Sequence, residues 1–208
     1  MTDERQTPSV LSTVATVVIV IAGVLVLRDI VFTDPPRAEA GSETGGEATP
    51  IIIEAEDFDA VDRDESSPEG HAILVIPAEA VAFGTGYIDI PEGIGKPGYE
   101  GRPDDWGWAD YTFNVPSTGD YVLYVRAWWL DQCGNSARFR FNDDSATHTV
   151  TGSIYEEWRW DKAPRRIPLK AGENTVRFIN NEDGVRLDRF ILVPAGAPYR
   201  PPQFNPDE

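Results

Sequence analysis

Hydrophobic and polar positions alternate along much of the chain beyond residue 50, and this pattern predicts β-strands. In one segment Phe139 and Phe141 interleave with Arg138 and Arg140. Successive side chains of a strand point to opposite faces, so such a segment has one apolar face and one polar face. No segment in this region keeps a helical period of 3.6 over three turns. The pattern therefore predicts sheets that bury one face.

The predicted strands are short, rich in β-branched and aromatic residues, and separated by turns that contain Gly, Pro, Asn or Asp. They cover residues 51–55, 72–76, 86–90, 108–115, 121–129, 137–142, 147–151, 165–169, 175–179 and 186–193. Many short strands at this spacing indicate an all-β fold, an antiparallel β-sandwich of jelly-roll type over residues 51–194.

A long apolar segment near the N-terminus predicts a single transmembrane α-helix over residues 8–32, after a short N-terminal segment of residues 1–7. No charged residue occurs between Gln6 and Leu27, which is long enough to cross about 30 Å of hydrocarbon. Thr7 and Pro8 suit a helix start, and Pro35 ends it. A cleaved signal peptide is the alternative, but it has a shorter apolar core after a basic segment.

Two polar segments flank the predicted sandwich. Residues 33–50 form a Pro/Gly/Glu-rich tether, and residues 195–208 form a Pro-rich tail in which Tyr199 and Phe204 are able to dock. Arg5 precedes the span and Arg28 and Arg37 follow it, so the basic residues slightly oppose a cytoplasmic N-terminus, although long domains translocate largely regardless of charge. An anchor ahead of one β-rich domain most often leads it outward. We therefore expect a single-pass protein of a bacterial-type cytoplasmic membrane, with the domain on the periplasmic, extracytoplasmic side.

Composition excludes several classes of function. The formal net charge is −17, with Lys+Arg 18 against Asp+Glu 35, so the surface repels phosphate backbones and nucleic acid is not an expected partner. One cysteine and two histidines do not build a thiolate or imidazole metal cage. Neighbouring acids such as Glu156 and Glu157 point in opposite directions on a strand and are expected by chance in so acidic a chain. We expect no enzymatic activity.

Five motifs in order along residues 51–194 carry a resemblance to a known family. They are Ile53-Glu-Ala-Glu-Asp-Phe, Trp108-Ala-Asp-Tyr-Thr-Phe-Asn-Val-Pro with Gly119-Asp-Tyr-Val-Leu-Tyr-Val-Arg, Trp158-Arg-Trp, Leu169-Lys-Ala-Gly-Glu-Asn-Thr-Val-Arg-Phe and Leu187-Asp-Arg-Phe-Ile-Leu-Val. This order resembles the non-catalytic carbohydrate-binding modules of families 6 and 35. The resemblance implies a galactose-binding-like jelly roll with a structural calcium ion, a sugar site among its loops and no catalysis.

The resemblance assigns the calcium ion (Ca²⁺) to Glu54, Glu56 and Asp188. Glu54 and Glu56 are two residues apart on one strand, so both point to one side. Two carboxylates buried on one face repel each other unless a cation lies between them. Calcium takes six to eight oxygen ligands, which suits such a pair. The alternative is that these are solvent-facing acids of an acidic protein.

The six tryptophans fall into three pairs, 106/108, 128/129 and 158/160. Sugar sites use aromatic faces for stacking, whereas tryptophan elsewhere mostly fills cores. Because Trp128 and Trp129 are adjacent, one of them faces the core and the other the surface. We expect Trp106, Trp129 and Trp158 at the surface.

The cleft implied by the resemblance pairs a tryptophan of the 158/160 region with an upstream aromatic residue and an Asn two residues before Asp188. Trp158 and Trp160 are therefore candidate binding residues. This chain has Arg186 in place of the Asn. Arginine is a charged fork of donors without an acceptor, so it suits an acidic sugar or a carboxylate of a partner protein.

Two functions of different class remain. The first is a membrane-anchored accessory or structural subunit whose sandwich docks onto a larger membrane assembly, such as a secretion, respiratory or photosynthetic complex. The lack of a catalytic set, the N-terminal anchor and Arg186 favour it. The alternative is a membrane-tethered protein that recognises envelope or extracellular glycan, which the resemblance favours.

The predicted orientation has a direct test. Protease added to right-side-out cells is expected to remove the domain, because the domain lies outside the membrane. An immunoblot against the domain measures its loss, with a cytoplasmic protein as the control for intact cells. Full protection of the domain contradicts the orientation.

Overall fold

A computed structural model describes residues 49–62, 72–77, 82–99 and 101–203. The predicted N-terminal segment 1–7, the predicted span 8–32, most of the predicted tether and Phe204 lie outside the described residues. In the part of the chain that is described, no helix has the length and apolar character of a membrane span.

The described residues form twelve β-strands. They are β1 Ile51–Glu54, β2 Ala60–Val61, β3 Leu74–Pro77, β4 Gly86–Ile90, β5 Trp108–Val115, β6 Gly119–Trp129, β7 Ser136–Phe141, β8 His148–Thr151, β9 Trp158–Lys162, β10 Ile167–Leu169, β11 Gly172–Asn180 and β12 Val185–Pro194. The limits of β4 and β5 match their predicted limits. Sequence patterning misses β2, which is too short to show a period, and β9, which is mostly polar (Trp-Arg-Trp-Asp-Lys).

The strands form two antiparallel sheets. Sheet A has seven strands, ordered β10-β6-β12-β4-β3, with β1 also paired to β12 and β9 also paired to β6. Sheet B has five strands in the order β2-β5-β11-β7-β8. The two longest strands, β6 and β12, pair with each other at the centre of sheet A. The all-β antiparallel prediction is confirmed for the described residues.

Aromatic side chains from both sheets meet in one core. The Phe190 ring of sheet A lies 5.4 Å from Tyr111 and 5.0 Å from Phe139 of sheet B, edge to face in both cases. Along β6, Leu123 and Val125 point into this core with about 1% or less of their surface exposed. Burying a large apolar side chain stabilises a fold by about 1.5–3 kcal/mol. The sheets therefore pack as a β-sandwich.

The prediction that Trp106 and Trp129 are surface residues is wrong. Trp129 has the same strand parity as Leu123 and Val125, so it points into the core and is 0% exposed. Its indole Nε1 donates to Asp161 Oδ2 at 2.7 Å, which satisfies the buried N–H. Trp106 is 6% exposed, with the Arg102 guanidinium 4.7 Å from its ring. Trp128, not Trp129, is the outward member of its pair.

Gly152 provides a test of how tightly the core is packed around Trp129. A Cβ at this position would lie 2.0 Å from Trp129 Nε1, far inside van der Waals contact. We expect Gly152→Ala to destabilise the domain by about 1–3 kcal/mol, the usual cost of overpacking. Urea unfolding followed by tryptophan fluorescence measures it. Gly119→Ala is the matched control, because a Cβ there meets nothing within 4 Å. Equal stability of the two variants contradicts the packing.

Candidate functional site

A row of polar and aromatic side chains crosses the outer face of sheet A. Trp158 on β9 pairs with Trp128 on β6, Trp128 with Arg186 on β12, and Arg186 with Asp89 on β4. Directly paired residues of adjacent strands project from the same face. All four are partly exposed. Strand pairing thus assembles, from four separate parts of the chain, a set that we call the outer row.

Arg186 is the centre of the outer row. Its Cζ lies 4.3 Å from the centroid of the Trp128 ring, and its Nε lies 3.4 Å from Asp89 Oδ1. Burial raises the pKa of the Asp89 carboxyl, and the charge of Arg186 acts against that rise. The Arg186 side chain is 36% exposed. Its contact with Asp89, at 3.4 Å, is long for a hydrogen bond and does not use all of its N–H groups. The guanidinium is able to offer N–H donors to a ligand.

A second row lies one pleat away on the same face. Trp160 pairs with Arg126, Arg126 with Arg189, and Arg189 with Glu54. The register of β12 against β6 shifts between Leu187 and Arg189, which marks a β-bulge at Asp188. The extra residue lets Arg186 and Arg189 both face outward although they are three positions apart.

A cleft of about 470 Å³ lies at the β9 end of the two rows. Its lining residues are Arg126, Glu157, Trp158, Arg159, Trp160 and Gln203. The Arg126 Cζ lies 5.1 Å from the Trp158 ring, and Tyr87 meets Trp158 edge to face at 5.2 Å. The indoles and guanidinium groups are therefore stacked together, and both kinds of group are accessible from the cleft.

The C-terminal tail reaches this cleft at Gln203, which is one of its lining residues. The Trp160 indole Nε1 donates to the Pro202 carbonyl at 2.8 Å, and the Tyr199 ring packs on Tyr124 at 5.7 Å. Tyr199 therefore docks, as the sequence indicated it was able to do. Because Gln203 follows Pro202 directly, the same contacts place it beside the cleft.

The three carboxylates assigned to calcium are Glu54, which belongs to the second row, and Glu56 and Asp188, and we call them the carboxylate cluster. Glu54 is paired with Arg189, and Asp188 with Arg126. Glu56 Oε1 accepts the backbone N–H groups of residues 85 and 86, both at 2.8 Å. Burial raises the pKa of the Asp188 carboxyl to about 6, while its hydrogen bond and charge contact with Arg126 act to lower it.

The backbone at Gly84 approaches Glu56 and Glu54 of this cluster so closely that no side chain fits there. A Cβ there would lie 2.7 Å from Glu56 Oε1 and 3.3 Å from Glu54 Oε2, and its φ of +67° is one that other residues rarely adopt. Across the described ranges, no group of three or more Asp, Glu, His or Cys side chains is arranged to hold a metal ion. Calcium binding stays a prediction of the resemblance.

A larger groove of about 840 Å³ lies on sheet B. Arg177 there donates two hydrogen bonds of 2.7 Å to Asp110, and its Cζ stacks 4.1 Å from the Trp108 ring. This guanidinium is held by both carboxylate oxygens, and Asp59, Asp143 and Asp144 also line the groove. The groove is therefore mainly acidic, and the sheet A cleft is the better candidate for binding.

The structure brings some of the predicted site residues together and separates others. Trp158 and Trp160 line the cleft, and Arg186 lies in the outer row. Trp106 and Trp129 are buried. Sequence reasoning missed Tyr87, Asp89 and Gln203. The alternation of β4 puts Tyr87 and Asp89 on one face, but only the β4–β12 pairing puts that face beside Arg186.

Comparison with solved structures identifies the fold. One similar structure is a β-1,4-mannanase of Podospora anserina that carries a family 35 module, with a TM-score of 0.52 and 19% identity, covering 76% of this chain. This chain spans only 29% of that enzyme. Another is the C-terminal family 6 module of LamC from Zobellia galactanivorans, with a TM-score of 0.50 and 13% identity, covering 70% of this chain and 99% of the module.

One of these structures is an enzyme that contains a family 35 module and the other is a family 6 module, so the resemblance found in the motifs is confirmed at the level of fold. No protein-family model matches the chain, and no curated protein matches it.

The packing of the C-terminal tail against Trp160 can be tested by removing the Tyr199 ring. Tyr199→Ala is expected to loosen residues 199–203 and to uncover Trp160, because the ring contact with Tyr124 is lost. Acrylamide quenching of tryptophan fluorescence is expected to increase, with the melting temperature nearly unchanged. Tyr155→Ala is the matched control, since Tyr155 is already exposed. Unchanged quenching in Tyr199→Ala contradicts the role of the tail.

Proposed function

We propose that this chain is a non-catalytic binding protein whose β-sandwich recognises an acidic glycan at the outer row and the adjoining cleft. The observation that carries the proposal is the stacking of Arg186 on Trp128 and of Arg126 on Trp158. The likeness of the fold to carbohydrate-binding modules supports it.

The chemistry of the site favours a sugar that bears a carboxylate. Aromatic faces bind the C–H groups of a pyranose ring, and an arginine fork binds a carboxylate through two parallel N–H donors. Arg186 makes one hydrogen bond of 3.4 Å to Asp89, so a ligand carboxylate is able to compete for its donors. In a chain of net charge −17, whose overall field repels anions, a ligand carboxylate depends on a specific donor group such as the Arg186 fork.

The lining of the cleft supports binding rather than hydrolysis. Glycoside hydrolysis uses two carboxyl groups about 5–10 Å apart across the scissile bond. Among the described lining residues of the cleft, Glu157 is the single carboxylate, and its Oε1 is 2.8 Å from Arg159 Nη1.

A second candidate is docking onto a larger membrane assembly, with the domain held on the extracytoplasmic side by the apolar segment of residues 8–32. The observation that favours it is that guanidinium groups cover part of the Trp128 and Trp158 faces, which leaves less ring surface for a sugar to stack on. Tryptophan and arginine are also the residues most enriched at protein interface hot spots. Stoichiometric co-migration with an assembly on a native gel, after mild detergent solubilisation, supports docking.

Affinity electrophoresis of the full chain in detergent tests glycan binding. Migration is expected to slow in gels that contain polygalacturonate and not in gels that contain a neutral glucan. Trp158→Ala and Arg186→Gln are each expected to weaken retardation about tenfold, the loss of about 1.4 kcal/mol.

Arg177→Gln is the matched control for this experiment. It removes an arginine that also stacks on a tryptophan, but on sheet B. It is expected to bind polygalacturonate like the unmodified chain, and near-UV circular dichroism checks that each variant is folded. Equal retardation of all variants, or no retardation of the unmodified chain in polygalacturonate, rejects the acidic-glycan proposal.

A further inference from the structure

The carboxylate cluster, Glu54, Glu56 and Asp188, concentrates negative charge in a mostly buried position of sheet A. Glu54 has 19% of its side-chain surface exposed, and Asp188 has 0%. Carboxylates at such positions require compensating positive charge or hydrogen-bond donors, because burial removes their hydration. The source of that compensation decides whether the fold depends on a metal ion.

Arg189 compensates Glu54 through both carboxylate oxygens. Its Nε donates to Oε2 at 2.8 Å, and its Nη2 donates to Oε1. This two-pronged geometry is the strongest arrangement available to an arginine and a carboxylate. Glu54 and Arg189 are directly paired on β1 and β12, so the sheet itself holds the two side chains opposite each other.

Arg126 and the backbone compensate Asp188. Arg126 Nη1 contacts Asp188 Oδ2 with side-chain exposures of 6% and 0%, and the Phe83 N–H donates to Oδ1 at 3.0 Å. Both oxygens of Asp188 are therefore engaged by the chain. The Phe83 ring also lies 4.2 Å from the Arg189 Cζ and 5.0 Å from the Arg126 Cζ, so both guanidinium groups contact the same ring.

The negative charge of Glu56 is compensated by neutral hydrogen-bond donors, mainly backbone N–H groups. Its Oε1 accepts the Thr85 and Gly86 N–H groups and contacts the Thr85 hydroxyl at 3.3 Å, whereas its buried Oε2 has no hydrogen-bond partner among the described residues. One open oxygen does not satisfy calcium, which takes six to eight oxygen ligands. The residues in this arrangement do not fit a calcium ion, because a cation reaching Glu54 or Asp188 has to displace a guanidinium group.

We propose that Arg189 and Arg126 supply the positive charge that the resemblance assigns to calcium. The sandwich of this chain is then stabilised by internal ion pairs and folds without the metal. Three negative groups face two positive groups, and the third carboxylate is bound by backbone N–H donors. The direct pairing of Glu54 on β1 with Arg189 on β12 makes this possible, because paired residues project from the same face of the sheet.

The first test uses the full chain in detergent, stripped of metal by a chelator. Thermal unfolding is followed with chelator present and again with millimolar calcium chloride. The melting temperature is expected to stay unchanged. A calcium site at a hundredfold its Kd would instead raise the melting temperature by roughly 5–10 °C. Such a rise, or calcium retained by the purified chain in elemental analysis, overturns the proposal.

The second test removes the internal cation. Arg189→Met keeps the length and apolar stem of the side chain but leaves Glu54 without its partner. We expect the melting temperature to fall in chelator and to recover in part when calcium is added, because the metal then binds the exposed carboxylates. Recovery with calcium distinguishes a cation replacement from an ordinary structural contact.

Arg177→Met is the matched control for the second test. It also removes an arginine that donates two hydrogen bonds to one carboxylate, Asp110. It is expected to lower the melting temperature without any recovery in calcium. If Arg189→Met responds to calcium no more than Arg177→Met does, the proposal is overturned.

A further variant covers the case in which Arg189→Met does not fold. Arg189→Lys keeps the charge while losing the fork, and it is expected to fold and to remain insensitive to calcium. A calcium-dependent melting temperature in Arg189→Lys overturns the proposal. None of these measurements involves a glycan, so the outcome is independent of the proposed function.

Discussion

The pairing of β6 with β12 is the contact on which the rest of the structure depends. It joins the two longest strands at the centre of sheet A, and its register places Trp128 beside Arg186 and Arg126 beside Arg189. A slip of one residue would reverse every side chain between the core and the outer face. The strongly apolar inner positions of both strands, such as Leu123 and Phe190, prevent that slip.

The bulge at Asp188 explains how one strand contributes both to the core and to an arginine-rich surface. Without the extra residue, Arg186 and Arg189 would lie on opposite faces of β12, and one guanidinium would enter the core. With it, both face outward, while Leu187 and Phe190 face inward and are 1% exposed or less. Asp188 is then the bulged residue, and its backbone carbonyl accepts the Ala55 N–H at 2.9 Å, which ties β1 to the bulge.

Much of the fold could be predicted from the sequence, because strand existence depends on local alternation and turn residues. The tryptophan assignments show where local reasoning ends. Adjacency establishes that Trp128 and Trp129 face opposite ways, but the choice between them requires counting parity from a core residue such as Leu123. Trp106 lies outside any strand, so parity gives no information about it, and only its packing in the folded chain shows that it is buried.

The candidate site was less predictable because it is non-local. Trp158, Trp128, Arg186 and Asp89 come from four strands, and their alignment follows from three pairings. The Glu54/Glu56 spacing indicated a cation, and the arginine one position after Asp188 was in view in the same motif. Whether that arginine faces Glu54 depends on the register of β1 against β12, and a register between strands so distant in sequence leaves no local trace.

Arg126 connects the two parts of the outer face. Its guanidinium is bound to the buried Asp188 and also stacks on Trp158, which lines the cleft. A buried charge pair is costly to break, because the remaining partner is left unpaired and desolvated. Arg126 is therefore fixed in position by the same ion pair that neutralises Asp188, and a fixed guanidinium loses little entropy when a ligand contacts it. Arg126 thus contributes both to the stability of the sandwich and to the geometry of the cleft, so a substitution there is expected to change both.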